Sequence, residues 1–111
     1  MTDTETVTPK PKRVPRKPAD PLIKIVDEVL RAGIAKMGAT TPVPAFRSRL
    51  NEGRASAWSR EHVKTGALDA LLLSLTFEVG AALNPVETRH SLIQLAAAAL
   101  AEVQRIDEAA K

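Results

Sequence analysis

Wherever the alternation of apolar and polar positions is regular, its period is helical. Leu22, Ile25, Val26, Val29, Leu30, Ile34 and Met37 recur at three- and four-residue steps, which gathers them on one stripe of a helix. Asp20-Pro21 ahead of them reads as an N-cap and first helical residue, and Gly38 behind Met37 reads as the stop. The other face carries Lys24, Asp27, Glu28, Arg31 and Lys36 and is expected to meet water.

Residues 39–59 break the period with Pro42, Pro44 and Gly53, leaving room for a short helix over residues 45–51. Phe46, Leu50 and Trp58 are expected to dock this connection on the core. Ser59 then reads as the cap of a long helix running toward Leu83, with an irregularity at Thr65-Gly66. Its apolar residues, among them Val63, Leu68, Leu71, Leu72, Leu73, Leu75, Phe77 and Val79, occupy every face. A helix of that kind is central or sits in an oligomer interface.

Asn84-Pro85-Val86-Glu87 supplies an N-cap, a proline at the first helical position and a capping-box glutamate. Along the helix that follows, Leu92, Ala96, Ala99, Val103, Ile106 and Ala110 recur at alternating steps of four and three, the spacing of a coiled-coil seam. The tight turn at Asn84 predicts an antiparallel helical hairpin. The fold class expected is therefore all-α, a small helical bundle built on that hairpin over residues 20–111. Its Leu71, Leu72, Leu75, Leu92, Ala96, Ala99, Val103 and Ile106 form the candidate interface of a homodimer.

Residues 1–19 have another character. They hold four of the eight prolines and only Val7 and Val14 as sizeable apolar side chains, too little to offset the entropy of ordering. A disordered basic N-terminal arm is expected, with Lys10, Lys12, Arg13, Arg16 and Lys17 spaced along an extended segment that suits a phosphate backbone. It lacks the Gly-Arg-Pro centre of a minor-groove hook, so base specificity is not expected. Arg47, Arg49, Arg54 and Arg60 either extend that nucleic-acid footprint or pair with the acids of the last helix. Charge is unevenly placed: residues 1–64 carry thirteen Lys/Arg against seven Asp/Glu, and residues 65–111 three against six. One end can face an anion and the other cannot.

The 111-residue chain has no cysteine, which excludes disulfides and thiolate-held metal and suits a reducing cytosol. No apolar run approaches the ~20 residues of a membrane span, because Asp69 and Glu78 interrupt the longest one. A soluble, unprocessed cytoplasmic protein is expected. With three aromatic residues, Phe46, Trp58 and Phe77, a stacking platform for single-stranded nucleic acid is not.

Motifs that would announce chemistry are missing. There is no phosphate loop, GxGxxG, HExxH or Gly-x-Ser-x-Gly, and His62 and His90 read as solvated or capping residues rather than ligands. Glu78, flanked by apolar residues, is the one carboxylate expected to be partly buried, and the weak candidate for a metal ligand. A bundle metal site needs partners one turn away; positions 74, 75, 81 and 82 are Ser, Leu, Ala and Ala.

Residues 75–108, LTFEVGAALNPVETRHSLIQLAAAALAEVQRIDE, resemble the C-terminal half of the small MazG-like proteins of actinobacteria and their phages. That pattern runs roughly LLEEVxEAL, a short turn, then RxELVQVAAVAVAWIEAID. EVLRAGIAKMGA, residues 28–39, gives a weaker echo. The resemblance implies an all-helical, oligomeric nucleotide pyrophosphohydrolase with a Mg²⁺ site made by two acidic helix motifs. Carried over residue by residue, Glu78 and Gln94 match, whereas Phe77, Ala81 and Ser91 replace acidic positions. One carboxylate does not assemble that site.

The reading that follows is a non-enzymatic helical interaction module without a cofactor, of phage type, acting on a host protein or other macromolecule. The alternatives are a divergent Mg-dependent pyrophosphohydrolase using Glu78 with Asp69 or Glu87, and a sequence-nonspecific DNA-binding protein led by the arm.

Overall fold

A computed structural model describes residues 20–33 and 38–111. The basic arm and Ile34 to Met37 lie outside them. The described residues form four α-helices and no strand: α1 (Pro21–Arg31), α2 (Ser48–Thr65), α3 (Leu68–Ala81) and α4 (Pro85–Ala109), with one 3-10 turn, Ala45–Arg47, leading into α2. The all-α class is as the periodicity predicts.

Local chemistry sets most of the helix ends. At α1 the Asp20 carboxylate accepts the Leu22 N–H at 2.9 Å, and Pro21 occupies the first turn. The helix ends at Arg31, short of the expected stop at Gly38, because Gly33 takes a left-handed φ of 89°. Within α1 the buried residue is Ile25, and α1 lies against α4.

α2 departs most from the sequence reading. It runs unbroken for 18 residues through Gly53 and Ser59, so the expected cap and the later part of the expected short helix fall within one element, with residues 45–47 in the 3-10 turn before it. A helical glycine costs roughly 0.5–1 kcal/mol relative to alanine, and packing on α3 outweighs that local penalty. Its true end is Gly66, at φ 71°, whose N–H reaches the His62 carbonyl at 2.7 Å. Phe46 and Leu50 are not docked on the core: Phe46 is 80% exposed. Trp58 is half-buried.

α3 is the central helix, packed on α2 along one side and on α4 along another. Small residues let α2 and α3 approach closely. Ala55, Ala70 and Ser74 are buried at the contact, and the Ser74 hydroxyl donates to the Leu71 carbonyl at 2.8 Å, so no buried hydroxyl is left unpaired. Where the two helices come nearest, Ser48 Oγ donates to the Ala81 carbonyl at 2.7 Å and Asn51 Nδ2 to the Gly80 carbonyl at 3.0 Å. Those carbonyls are among the last of α3 and have no partner inside the helix.

The α3–α4 turn forms as its sequence predicts. Asn84 Oδ1 accepts the Glu87 N–H at 2.9 Å, and Glu87 Oε1 accepts the Leu83 N–H at 2.9 Å. The glutamate thus closes on the residue before the cap, a one-residue variant of the capping box. α3 and α4 are neighbours through this short turn, while the more extensive packing is between α2 and α3. The strongest pairing therefore lies one helix upstream of the expected hairpin.

Candidate functional site

Two surfaces follow from this packing. The first is an open groove of about 810 Å³ where the middle of α2, the end of α3 and the first turns of α4 meet. From α2 come Glu52, Ser56, Ser59 and Arg60; from α3, Glu78; from α4, Glu87, His90 and Ser91. Ala55, Ala81, Ala82 and Val86 supply its apolar lining. Three carboxylates, a guanidinium and an imidazole border one depression.

Glu78 is half-buried, as its apolar neighbours predict. The ion pairs among the described residues are Arg105 with Glu102 at 2.6 Å and Lys111 with Glu108 at 3.0 Å, so Glu78 has no such partner there. Glu87 is engaged by the Leu83 N–H. Among the described residues no three histidine or acidic side chains come together as a metal-ligand set. Asp69 sits at the opposite end of α3, where its carboxylate accepts the Ala70 N–H at 2.8 Å. Of the two carboxylates that the sequence offers as partners of Glu78, the fold brings Glu87 to the groove and keeps Asp69 away. Glu52 joins them unforeseen, because α2 reads as broken at Gly53. Its spacing to Ser56 and Ser59, one and two turns on, is the signal that would have placed it.

His62 is half-buried in the last turn of α2, with Nδ1 3.4 Å from the Ala67 carbonyl, a position at a helix end that suits the capping expectation. His90 is exposed and borders the groove.

The arginines of α2 and of the 3-10 turn before it do not form one patch. Arg54 lies over the Phe77 ring and Arg47 over the Phe46 ring, each 5.7 Å from the centroid. Arg47 and Arg54 are seven residues apart and share a side, whereas helical rotation carries Arg49 and Arg60 to the other. Lys10, Lys12, Arg13, Arg16 and Lys17 lie outside the described residues.

The second surface is the outer stripe of α4. Leu92, Ala96, Ala99, Val103 and Ile106 are all exposed, Leu92 by 48%, Val103 by 40% and Ile106 by 59%. The half-buried positions of α4 flank it, Thr88, Ser91, Leu95, Ala98 and Glu102 on one side and Leu100 and Gln104 on the other. The heptad-spaced seam thus faces outward within the monomer. Leu71, Leu72 and Leu75, the α3 members of the candidate interface, are half-buried in the bundle. No helix of the described residues is long and apolar enough to cross a membrane. No family model, curated protein or solved structure matches the chain.

Proposed function

We propose that this protein is a non-enzymatic helical interaction module of the cytoplasm, which self-associates and contacts a further macromolecule through its helical surface and basic arm. The carrying observation is the outward seam of α4. Leu92, Val103 and Ile106 on it, and Ile93 beside it, are each roughly half exposed, whereas the buried apolar residues among those described are Ile25, Ala55 and Ala70. Covering the exposed halves of those four side chains yields about 3–6 kcal/mol per copy at ~1.5–3 kcal/mol for each complete burial. A surface monomer helix rarely leaves that much apolar area in one line. The phage-type setting, with a host protein as target, rests on the MazG-like resemblance alone.

Affinity capture from lysate with nuclease treatment tests the reading, comparing the parent with a Leu92→Glu/Ile106→Glu variant. The expected result is a partner that survives nuclease and is lost with the variant. Capture that depends on nucleic acid, or that ignores the variant, overturns the assignment of the apolar face.

The second reading, a divergent Mg-dependent nucleotide pyrophosphohydrolase, is favoured by one observation: Glu52, Glu78 and Glu87 border a common groove. The residues present do not converge as a ligand set, so no catalytic step is assigned to them. Mg²⁺-dependent release of pyrophosphate from the common nucleoside triphosphates, abolished by Glu78→Gln, would establish this reading and displace the first.

A further inference from the structure

We infer that the partner covering the outer stripe of α4 is a second copy of α4, running antiparallel, with Ala99 on the two-fold axis. The inference rests on the reading that this face is a binding surface and names its occupant and register.

The spacing comes first. The steps from Leu92 to Ile106 are four, three, four and three, the repeat that keeps two helices in contact along a shared seam rather than at one crossing point. A general protein-binding face needs no such repeat. The stripe spans about 21 Å at 1.5 Å per residue, and every member is exposed in the monomer. Alanines at 96 and 99 occupy its middle, so two such helices can approach to the short end of the usual ~8–10 Å interaxial range.

Area comes second. α4 offers Leu92, Val103 and Ile106 on the stripe and Ile93 beside it. Four half-exposed side chains, each worth ~60–120 Å² of apolar area when complete, give roughly 120–240 Å² per copy. A standard interface buries ~800 Å² per partner, a little over half of it apolar, or ~450 Å². The α4 side chains supply roughly a quarter to a half of that apolar area.

Orientation follows from charge. Arg89 stands at the amino end of the seam and Asp107 toward its carboxyl end, five helical turns on and so on the same flank, while Glu102 and Glu108 are paired with Arg105 and Lys111. A parallel pair would set Asp107 beside Asp107 and Arg89 beside Arg89. An antiparallel pair centred on Ala99 sets Leu92 against the partner's Ile106, Ala96 against the partner's Val103, and Arg89 beside the partner's Asp107. It also opposes the two helix dipoles. The arrangement is isologous and closes at two copies.

The absence of cysteine makes the register directly measurable in the full chain, because every introduced thiol is the only one. A disulfide needs Cα atoms within about 7 Å. In the antiparallel dimer Ala99→Cys cross-links with itself on oxidation. Leu92→Cys alone does not, but a mixture of Leu92→Cys and Ile106→Cys chains does. In sedimentation equilibrium the parent has twice the monomer mass, and Ala99→Glu, which sets two carboxylates at the axis, raises the dissociation constant by about 100-fold or more. Its circular dichroism stays helical, since residue 99 is exposed in the monomer. Self-cross-linking of Leu92→Cys as readily as Ala99→Cys means a parallel pair and overturns the inference. A parent chain that stays monomeric, with Ala99→Cys failing to cross-link, overturns it too. In that case capture of a different macromolecule, lost on Leu92→Glu/Ile106→Glu, would still uphold the binding face.

Discussion

Gly80 and Asn51 should be coupled energetically, and the coupling is large enough to measure. A Cβ at position 80 would lie 2.5 Å from Asn51 Nδ2 and 3.0 Å from its Cγ, so Gly80→Ala forces the Asn51 side chain away. The bond from Asn51 Nδ2 to the Gly80 carbonyl, 3.0 Å and partly buried, is then lost. Losing that bond and leaving the carbonyl poorly solvated costs about 1.5 kcal/mol. Replacing glycine by alanine near a helix end returns about 0.5 kcal/mol. The expected net is a destabilisation of about 1 kcal/mol in the parent. With Asn51→Ala already present there is no clash and no bond to lose, so Gly80→Ala should stabilise by about 0.5 kcal/mol. The sign reverses, and the coupling energy is about 1.5 kcal/mol.

Urea unfolding of the four proteins of the cycle, followed by circular dichroism, reads this out. All four must be measured at one chain concentration, since self-association contributes to apparent stability. At an m-value of ~1–3 kcal/mol/M the coupling corresponds to a midpoint difference of roughly 0.5–1.5 M. Equal effects of Gly80→Ala in both backgrounds would refute the close approach of α2 and α3 at this point.

Gly53 and Gly66 should respond oppositely to alanine: Gly53→Ala gains about 0.5–1 kcal/mol, because the site is helical with nothing within 4 Å of the new Cβ. Gly66→Ala loses about 1 kcal/mol, because φ is 71° there; the same urea midpoints check both. Asn84→Ala removes the acceptor of the Glu87 N–H and should cost about 1 kcal/mol, whereas Asn84→Asp should restore most of it. If the arm contacts nucleic acid, deleting residues 1–19 lowers duplex affinity and flattens its dependence on salt by up to ~4.5 in the log–log slope for five cations; unchanged binding discards that role for Lys10, Lys12, Arg13, Arg16 and Lys17.

The all-helical class, the start of α1 at Asp20-Pro21 and the α3–α4 turn at Asn84 were legible in the sequence. Each depends on interactions within about four residues, such as the Asn84 and Glu87 caps, and short-range chemistry is written in adjacent letters. The place of α3 was legible in part: apolar residues on all faces of the stretch toward Leu83 pointed to a central helix or an oligomer interface, and the packing on α2 and α4 makes α3 central. What the tertiary structure alone decided concerns which surfaces meet. α2 runs through Gly53 because α3 packs along it, an energy that no local signal at Gly53 contains. Glu52 and Glu78 share a groove because Ser48 and Asn51 tie the start of α2 to the end of α3, across 33 and 29 residues of sequence. The seam of α4 was visible as a repeat, but its direction was not. A heptad pattern states that a stripe seeks a partner; only the packing of α4 on α3 and α1, with half-buried Leu95 and Ala98 to one side of the seam and Leu100 to the other, leaves Leu92, Ala99 and Ile106 outside.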